Sequence, residues 1–194
     1  MIYHPDAETA LAPLWPLFDW PSVRRHKCLT LYTLARRVEH GAIVELGTYH
    51  GTGTIALALG SRDGYGVPVH TVDPFIKMQG WIGEPYGPDD LDVFRSKITA
   101  ANLELDTDII LHRDKSEDLA KVWQLSIELM FWDIGGSRVA SDFHDWNQRI
   151  VPGGIFAVKD LASWQFGTGA VASCNTFTAH EQYPQGCIWT FIKQ

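Results

Sequence analysis

The sequence predicts an α/β fold: a doubly wound, mostly parallel, Rossmann-like sheet with a C-terminal antiparallel hairpin. The main observation is a series of short apolar runs that alternate with helical segments, at residues 42–46, 67–72, 109–111, 127–132 and 155–158. A Gly-rich turn at residues 47–53 joins the first run to a helix-forming segment. The last two strand-like runs, residues 176–182 and 187–193, flank Pro184-Gln185-Gly186, which indicates a hairpin at the sheet edge.

The length of 194 residues and a hydrophobic content of 45% suit one sizeable core. We expect a single domain with three parts. Residues 1–41 form an N-terminal helical segment, residues 42–160 form the ligand-binding core, and residues 161–194 form the edge hairpin.

Helical periodicity places the remaining elements between the strands. An amphipathic helix over residues 29–38 ends at Gly41, and shorter helices are expected at residues 116–123 and 139–150. Asp89 is a candidate N-cap for a helix whose apolar positions are Leu91, Phe94, Ile98, Ala101 and Leu105. The preceding Pro- and Gly-rich segment, residues 80–88, is a long loop, and loops of that length usually have a function.

Charge and cysteine content limit the class of partner. A formal net charge of -7 disfavours nucleic acid, because such binding depends on clustered Lys and Arg. The three cysteines form neither a disulfide framework nor a zinc pattern, which favours a reducing cytoplasm. No stretch approaches the roughly 18 apolar residues of a membrane helix. A small-molecule partner fits best, and the oligomeric state stays open, a homo-oligomer included.

A carboxylate lies at or near the end of each of the five core strands. These residues are Glu45, Asp73, Asp114, Asp133 and Asp160. Parallel strands end at one edge of a doubly wound sheet, where ligands bind. Any single one of these residues could instead cap the following helix or turn. Together they predict a ligand site at that edge.

The segment at residues 43–54, Ile-Val-Glu-Leu-Gly-Thr-Tyr-His-Gly-Thr-Gly-Thr, resembles motif I of class I S-adenosylmethionine-dependent methyltransferases. The resemblance implies that the methionine end of the cofactor lies on the turn, with contacts from Glu45, Gly47, Thr48, Tyr49, Gly51, Thr52 and Gly53. Asp73 would accept hydrogen bonds from the ribose, and Asp114 or Ser116 would lie by the adenine. The spacing from Gly47 to Asp73 also suits NAD, so a dinucleotide-dependent oxidoreductase remains an alternative.

A second resemblance covers residues 131–160, where Asp133, Asp142, the Pro-Gly-Gly at residues 152–154 and Lys159-Asp160 follow one another. It is to the macrocin O-methyltransferase-like and cephalosporin-hydroxylase-like branch. The resemblance implies O-methylation of a small molecule. The catalytic residues would be Asp133, Lys159 and Asp160, with Asp133 also touching the cofactor.

The sequence departs from that branch at Gly136, where the branch has His, and at Lys159, where it has His or Glu. Asp133 and Asp160 could still hold Mg²⁺, but a neighbouring ammonium would repel the ion, so we expect no tightly bound metal. Lys159 could replace the cation and orient or deprotonate a hydroxyl. Alternatively it points outward into a surface salt bridge, which is the favoured interpretation. The departures also leave open a cofactor-binding protein with lost or different chemistry.

Overall fold

A computed structural model describes residues 3–19, 21–79, 85–134, 139–159, 176–182 and 188–194. Its helices are α1 Pro5–Leu11, α2 Pro21–Ala35, α3 Thr52–Arg62, α4 Asp90–Ala100, α5 Ser116–Val122 and α6 Val139–Trp146, with short 3₁₀ turns at Ala12–Leu17 and Asn147–Arg149. Its strands are β1 Ala42–Leu46, β2 Val69–Val72, β3 Met78–Gln79, β4 Pro85–Tyr86, β5 Ile109–His112, β6 Ile127–Trp132, β7 Ile150–Lys159, β8 Phe177–Gln182 and β9 Ile188–Lys193.

Seven of the described strands form one sheet in the order β5-β2-β1-β6-β7-β9-β8. Strands β5, β2, β1, β6 and β7 are parallel, whereas β9 runs antiparallel to both β7 and β8. This confirms the predicted doubly wound sheet with its C-terminal hairpin. The strand order reverses between β1 and β6, so a crevice for a ligand lies beyond the carboxyl ends of these two strands.

The core has two layers, one on each face of the sheet, because side chains alternate along every strand. On one face Ile43 and Phe131 pack among apolar residues of α1 to α4. On the other face Val44 and Trp132 pack with Trp146 of α6 and with residues of α5. Both faces of the central strands are therefore covered, which explains why their sequences are continuous apolar runs.

Several predicted boundaries differ from the observed ones. Helix α4 ends at Ala100, so Leu105 lies outside it. Asp89 makes no side-chain capping hydrogen bond, and the side chain of the neighbouring Asp90 accepts a hydrogen bond from Gly87 N, which precedes the helix, at 2.7 Å. Strand β2 begins at Val69 rather than at residue 67.

Two predicted irregular segments contain strand structure. Residues 152–154, predicted as a turn, form a bulge within β7, where Gly153 has φ +81° and pairing with β6 jumps from Ile150 to Ile155. Pro85 and Tyr86, within the predicted loop at residues 80–88, form β4, which pairs with β3 in a small antiparallel ribbon. Within the described residues, no helix is long and apolar enough to cross a membrane.

Candidate functional site

The Gly-rich turn after β1 lies directly against the end of β6. Gly47 has φ +94°, and a Cβ built there would lie 2.9 Å from the carbonyl oxygen of Asp133. Gly51 has φ +80°, and its Cβ would lie 2.6 Å from the ring of Phe94. Tyr49 between them adopts φ +48° without being glycine. Tight packing and left-handed backbone therefore require the glycines at positions 47 and 51.

Asp73, at the end of β2, holds the turn in place. Its Oδ2 accepts hydrogen bonds from the backbone N–H groups of Thr48 and Tyr49, at 3.1 and 3.0 Å. Its Oδ1 accepts one from Phe75 N at 2.9 Å. The carboxylate predicted to receive the ribose thus also fixes the backbone of the turn.

Glu45 lies beneath the turn and not on its surface. Its carboxylate accepts hydrogen bonds from Thr54 Oγ1 and, at 2.8 Å, from Thr71 Oγ1. A Cβ on Gly53 would lie 2.3 Å from Glu45 Oε1, so a larger residue there would displace the Glu45 carboxylate. Burial raises the pKa of the Glu45 carboxyl to about 7, against the opposing effect of these hydrogen bonds. Glu45 therefore stabilises the turn through buried hydrogen bonds.

Thr52, the first residue of α3, is also buried, and its Oγ1 has no hydrogen-bond partner among the described atoms. An orphaned hydroxyl at the first turn of a helix is unusual in a folded protein, because buried polar groups are normally paired. Together with the close-packed glycines, it is consistent with a turn built to receive a polar ligand.

His50 connects the Gly-rich turn to two other segments of the chain. The structure places its ring between two carboxylates, with Nδ1 3.0 Å from Asp19 Oδ2 and Nε2 2.8 Å from Asp90 Oδ1. Lys97 Nζ donates to the same oxygen of Asp19 at 2.8 Å. The N-terminal segment and α4 are thereby tied to the Gly-rich turn. Neither Asp19 nor Lys97 was identified from the sequence.

Aromatic rings extend this contact towards the β3–β4 ribbon. The ring of Tyr49 stacks on His50 with centroids 3.7 Å apart, and Tyr86 meets Tyr49 edge-on at 4.8 Å. Tyr86 belongs to the segment predicted as a long loop, residues 80–88. In the structure it joins the ribbon to the turn. Trp81, the other aromatic residue of that segment, lies outside the described residues.

Asp133 lies between two lysines at the end of β6. Lys27 of α2 donates from Nζ to Asp133 Oδ2, and Lys159 Nζ lies 3.0 Å from Asp133 Oδ1. The Lys27 side chain is 4% exposed, and its ammonium lies 5.3 Å from the ring centroid of Phe131. Burial opposes ionisation of the Asp133 carboxyl, but the charges and hydrogen bonds of Lys27 and Lys159 outweigh it and keep its pKa below the usual value.

The position of Lys159 corrects the favoured interpretation that it points outward. Trp132 pairs with Val158 in parallel strands, so the next residues, Asp133 and Lys159, project from the same face of the sheet. Lys27 was missed altogether. A signal was present in the sequence, because Lys27 continues the four- and three-residue spacing of Leu31 and Leu34 on the buried face of the helix.

The remaining predicted residues divide into three cases. The hydroxyl of Ser116 accepts a hydrogen bond from Trp146 Nε1 at 2.9 Å and donates to Asp142 Oδ1 at 3.3 Å, so its side chain is engaged inside the protein. Asp114 is exposed just beyond β5, beside the end of β2. Asp160 and Gly136 lie outside the described residues.

The magnesium site implied by the resemblance does not fit these residues. Each oxygen of Asp133 already accepts from an ammonium group, and a divalent cation would have to displace both lysines. Among the described residues, no group of three or more His, Cys, Asp or Glu side chains could hold a metal ion.

Comparisons with known proteins show the family of the chain and structures with a similar fold. A family model described as a methyltransferase domain matches residues 44–161. The SAH-bound methyltransferase PaMTH1 of Podospora anserina is similar in structure, with a TM-score of 0.73, 14% identity, and coverage of 100% of this chain and 90% of that chain.

Two further solved structures share the fold. An O-methyltransferase from Bacillus cereus in complex with SAH has a TM-score of 0.62 and 16% identity over 100% of this chain and 93% of that chain. The O-methyltransferase TomG from Streptomyces achromogenes, involved in tomaymycin synthesis and bound to SAM, has a TM-score of 0.64 and 15% identity over 100% and 92%.

Proposed function

Because the chain belongs to the methyltransferase-domain family, we propose that it transfers a methyl group from S-adenosylmethionine (SAM) to an oxygen atom of a small molecule. The observation that carries this proposal is the arrangement at the carboxyl ends of β1, β2 and β6. There the turn beginning at Gly47 is packed on Asp133 and fixed by Asp73. The solved relatives that bind SAM or its demethylated product SAH support the choice of cofactor.

In this proposal the turn receives the methionine end of the cofactor. Its backbone contacts would come from Gly47, Thr48, Tyr49, Gly51, Thr52 and Gly53, with Glu45 supporting them from below. Asp73 retains lone pairs on Oδ1 for the ribose hydroxyls while Oδ2 holds the turn. Asp114 and Ser116 would border the adenine, and Ser116 would do so through its backbone because its hydroxyl is engaged elsewhere.

The reacting end would lie beside Asp133, which adjoins Gly47. Transfer of a methyl group from a sulfonium needs chiefly an acceptor oxygen held in line with the methyl carbon, and positioning supplies most of the rate. Asp133, Lys159 and Asp160 are the residues proposed to line this end. The O-methyltransferase relatives and the resemblance to the macrocin O-methyltransferase-like branch support oxygen as the acceptor atom.

Binding calorimetry with SAM, SAH and NAD tests the cofactor. We expect SAM and SAH to bind and NAD not to bind. Binding of NAD alone would favour the dinucleotide-dependent oxidoreductase instead. Binding of SAM and SAH without methyl transfer to any acceptor would favour a cofactor-binding protein with different chemistry. The engagement of Asp133 by two lysines is the observation that favours this second candidate.

The Asp73→Ala variant tests the proposed position of the cofactor. It removes the ribose acceptor and frees the amides of Thr48 and Tyr49, so we expect SAH to bind about tenfold more weakly or worse. Asp92→Ala is the matched control, because Asp92 is an exposed aspartate on α4. Equal SAH affinity in the Asp73 variant and the control would place the cofactor elsewhere.

A further inference from the structure

Lys27 is the most unusual charged residue of the candidate site. It lies on the buried face of α2, and its ammonium reaches Asp133 across the end of the sheet. Burying a long cationic side chain is costly, and an ion pair seldom repays the whole cost. Phe131 adds one compensating contact, with its ring 5.3 Å from the ammonium. We therefore expect this buried cation, next to the Gly-rich turn, to have a role other than stabilising the fold.

We propose that the ammonium groups of Lys27 and Lys159 together take the place of a divalent cation at Asp133 and hold an acceptor oxygen that is already anionic, such as that of a carboxylate or a phenolate. This inference rests on the proposed methyl transfer. It adds Lys27 to the site and specifies the chemical class of the acceptor.

The charges of the three contacting residues support this assignment. Two ammonium groups face one carboxylate, so the trio of Lys27, Asp133 and Lys159 carries one net positive charge. An approaching dication would be repelled by both lysines and would find both oxygens of Asp133 engaged. An anionic oxygen, by contrast, would be attracted to the same groups and could accept hydrogen bonds from them.

The same groups also limit the protonation state of the acceptor. An ammonium has no lone pair with which to remove a proton, and the Asp133 carboxylate, with both oxygens engaged by the lysines and its pKa lowered, is a poor base. The trio therefore offers a neutral hydroxyl no effective base. An anionic oxygen needs none. Its lone pair forms the bond to the methyl carbon, the carbon–sulfur bond breaks, and that electron pair returns to sulfur. The sulfonium becomes a neutral thioether and the acceptor becomes a neutral ether or ester.

Manganese binding tests whether the lysines replace a metal. Calorimetry with Mn²⁺ would compare the unmodified chain, Lys27→Met, Lys159→Met and the double variant, each checked for folding by its melting temperature. Lys121→Met is the matched control, because Lys121 pairs with Asp118 on the exposed side of α5.

We expect the unmodified chain and the control to bind Mn²⁺ weakly, and the double variant to bind it about tenfold more tightly or better. Lys159→Met removes a partly exposed lysine and preserves the test if Lys27→Met does not fold. Tight binding to the unmodified chain, or no gain in any folded lysine variant, would overturn the proposal.

A phenol probe tests the preference for an anionic oxygen. 4-Nitrophenol titrates near neutral pH, and its phenolate absorbs visible light. It is added to the SAH-saturated chain at a pH below the pKa of the free phenol. We expect at least about twofold more phenolate than in the same buffer without protein, and we expect the Lys159→Met and double variants to lose this increase. No increase with the unmodified chain would overturn the assignment of an anionic acceptor.

The two proposals fail in different ways. If SAH does not bind, the proposed cofactor is wrong, yet the manganese comparison can still be interpreted because it needs no cofactor. If SAH binds and the manganese and nitrophenol experiments show no dependence on the lysines, methyl transfer stands and the role of Lys27 is wrong.

Discussion

At the scale of single residues, the site is distinguished by carboxylates in unlike surroundings. The Asp133 carboxyl, flanked by two ammonium groups, has a lowered pKa, whereas burial raises that of Glu45 to about 7. Glu45 accepts from hydroxyl donors, and no ammonium of the described residues forms an ion pair with it. One acid therefore stays ionised beside the turn while the other takes up a proton near neutral pH.

The Glu45→Gln variant should change how stability depends on pH. Because the folded pKa of Glu45 lies above its usual 4.5, burying the carboxylate destabilises the fold increasingly as pH rises from about 4.5 to about 7. Glutamine can accept the same two hydrogen bonds without a charge. We expect the variant to be about 2 kcal/mol more stable than the unmodified chain near pH 8 and about equal near pH 5, by urea unfolding.

Glu128→Gln is a control of opposite sign. Burial raises the pKa of Glu128, but hydrogen bonds from the N–H groups of Gly41, His40 and Glu39 outweigh it, so the folded pKa is lowered. Its contribution to stability is present above pH 4.5 and is lost as pH falls further. We therefore expect this variant to be less stable at neutral pH. A parallel pH dependence in both variants would contradict the assignments.

At the scale of elements, close backbone approaches determine where the helices lie. Helices α2 and α3 cross so tightly that a Cβ on Gly60 would lie 2.2 Å from the carbonyl oxygen of Tyr32. The same α2 carries Lys27, so this crossing determines where the ammonium meets β6. A small residue in one helix thus positions a charged group in the other.

Gly60→Ala should separate the two helices. The clash is with backbone, which cannot rotate away, so we expect a loss of about 2 kcal/mol or more in the free energy of unfolding. Gly87→Ala is the control, because nothing lies within 4 Å of a Cβ built there. Thermal and urea unfolding would measure both, and equal stability of the two variants would mean that the crossing adapts.

A histidine pair joins β2 to β5, the strand at one edge of the sheet. His70 Nδ1 lies 3.0 Å from His112 Nε2, and both rings meet Trp123 edge-on. Burial, reinforced by the charge of His112, lowers the pKa of His70 to about 4. The fold therefore holds His70 neutral.

His70→Phe should flatten the acid side of the stability profile. In the unmodified chain the unfolded state takes up a proton below about pH 6.5 and the folded state only near 4, so stability falls over that window. Between pH 7 and pH 5 we expect the free energy of unfolding of the variant to fall by about 1 kcal/mol less than that of the unmodified chain, as measured by urea unfolding. His144→Phe, an exposed substitution on α6, is the control for replacing a histidine by phenylalanine.

At the scale of the whole molecule, the N-terminal segment is part of the site. Asp19 follows the 3₁₀ turn at Ala12–Leu17 and binds both His50 and Lys97. Burial opposes ionisation of the Asp19 carboxyl, but Lys97 and His50 outweigh it and lower its pKa. The contribution of Asp19 is therefore present above about pH 3.8 and is lost as pH falls below that value.

Asp19→Ala should loosen the N-terminal segment from the turn. We expect about 1 kcal/mol lower stability, faster hydrogen exchange over residues 3–18, and weaker SAH binding. Asp6→Ala is the control, because Asp6 pairs with Arg36 at the surface of the same segment. Unchanged exchange in the Asp19 variant would show that other contacts hold the segment in place.

The sequence by itself determined the elements that depend on local pattern. Apolar runs and turn residues predicted the parallel core and the hairpin, and strand-end positions placed Asp73 and Asp133 at one edge. Only the tertiary structure decided which side chains meet there. Lys27 lies 106 positions from Asp133, and Asp19 lies 31 from His50. Periodicity shows which face of an element a residue occupies. Contacts between distant residues depend instead on how the helices cross the sheet, and close packing at glycines such as Gly60 determines that crossing.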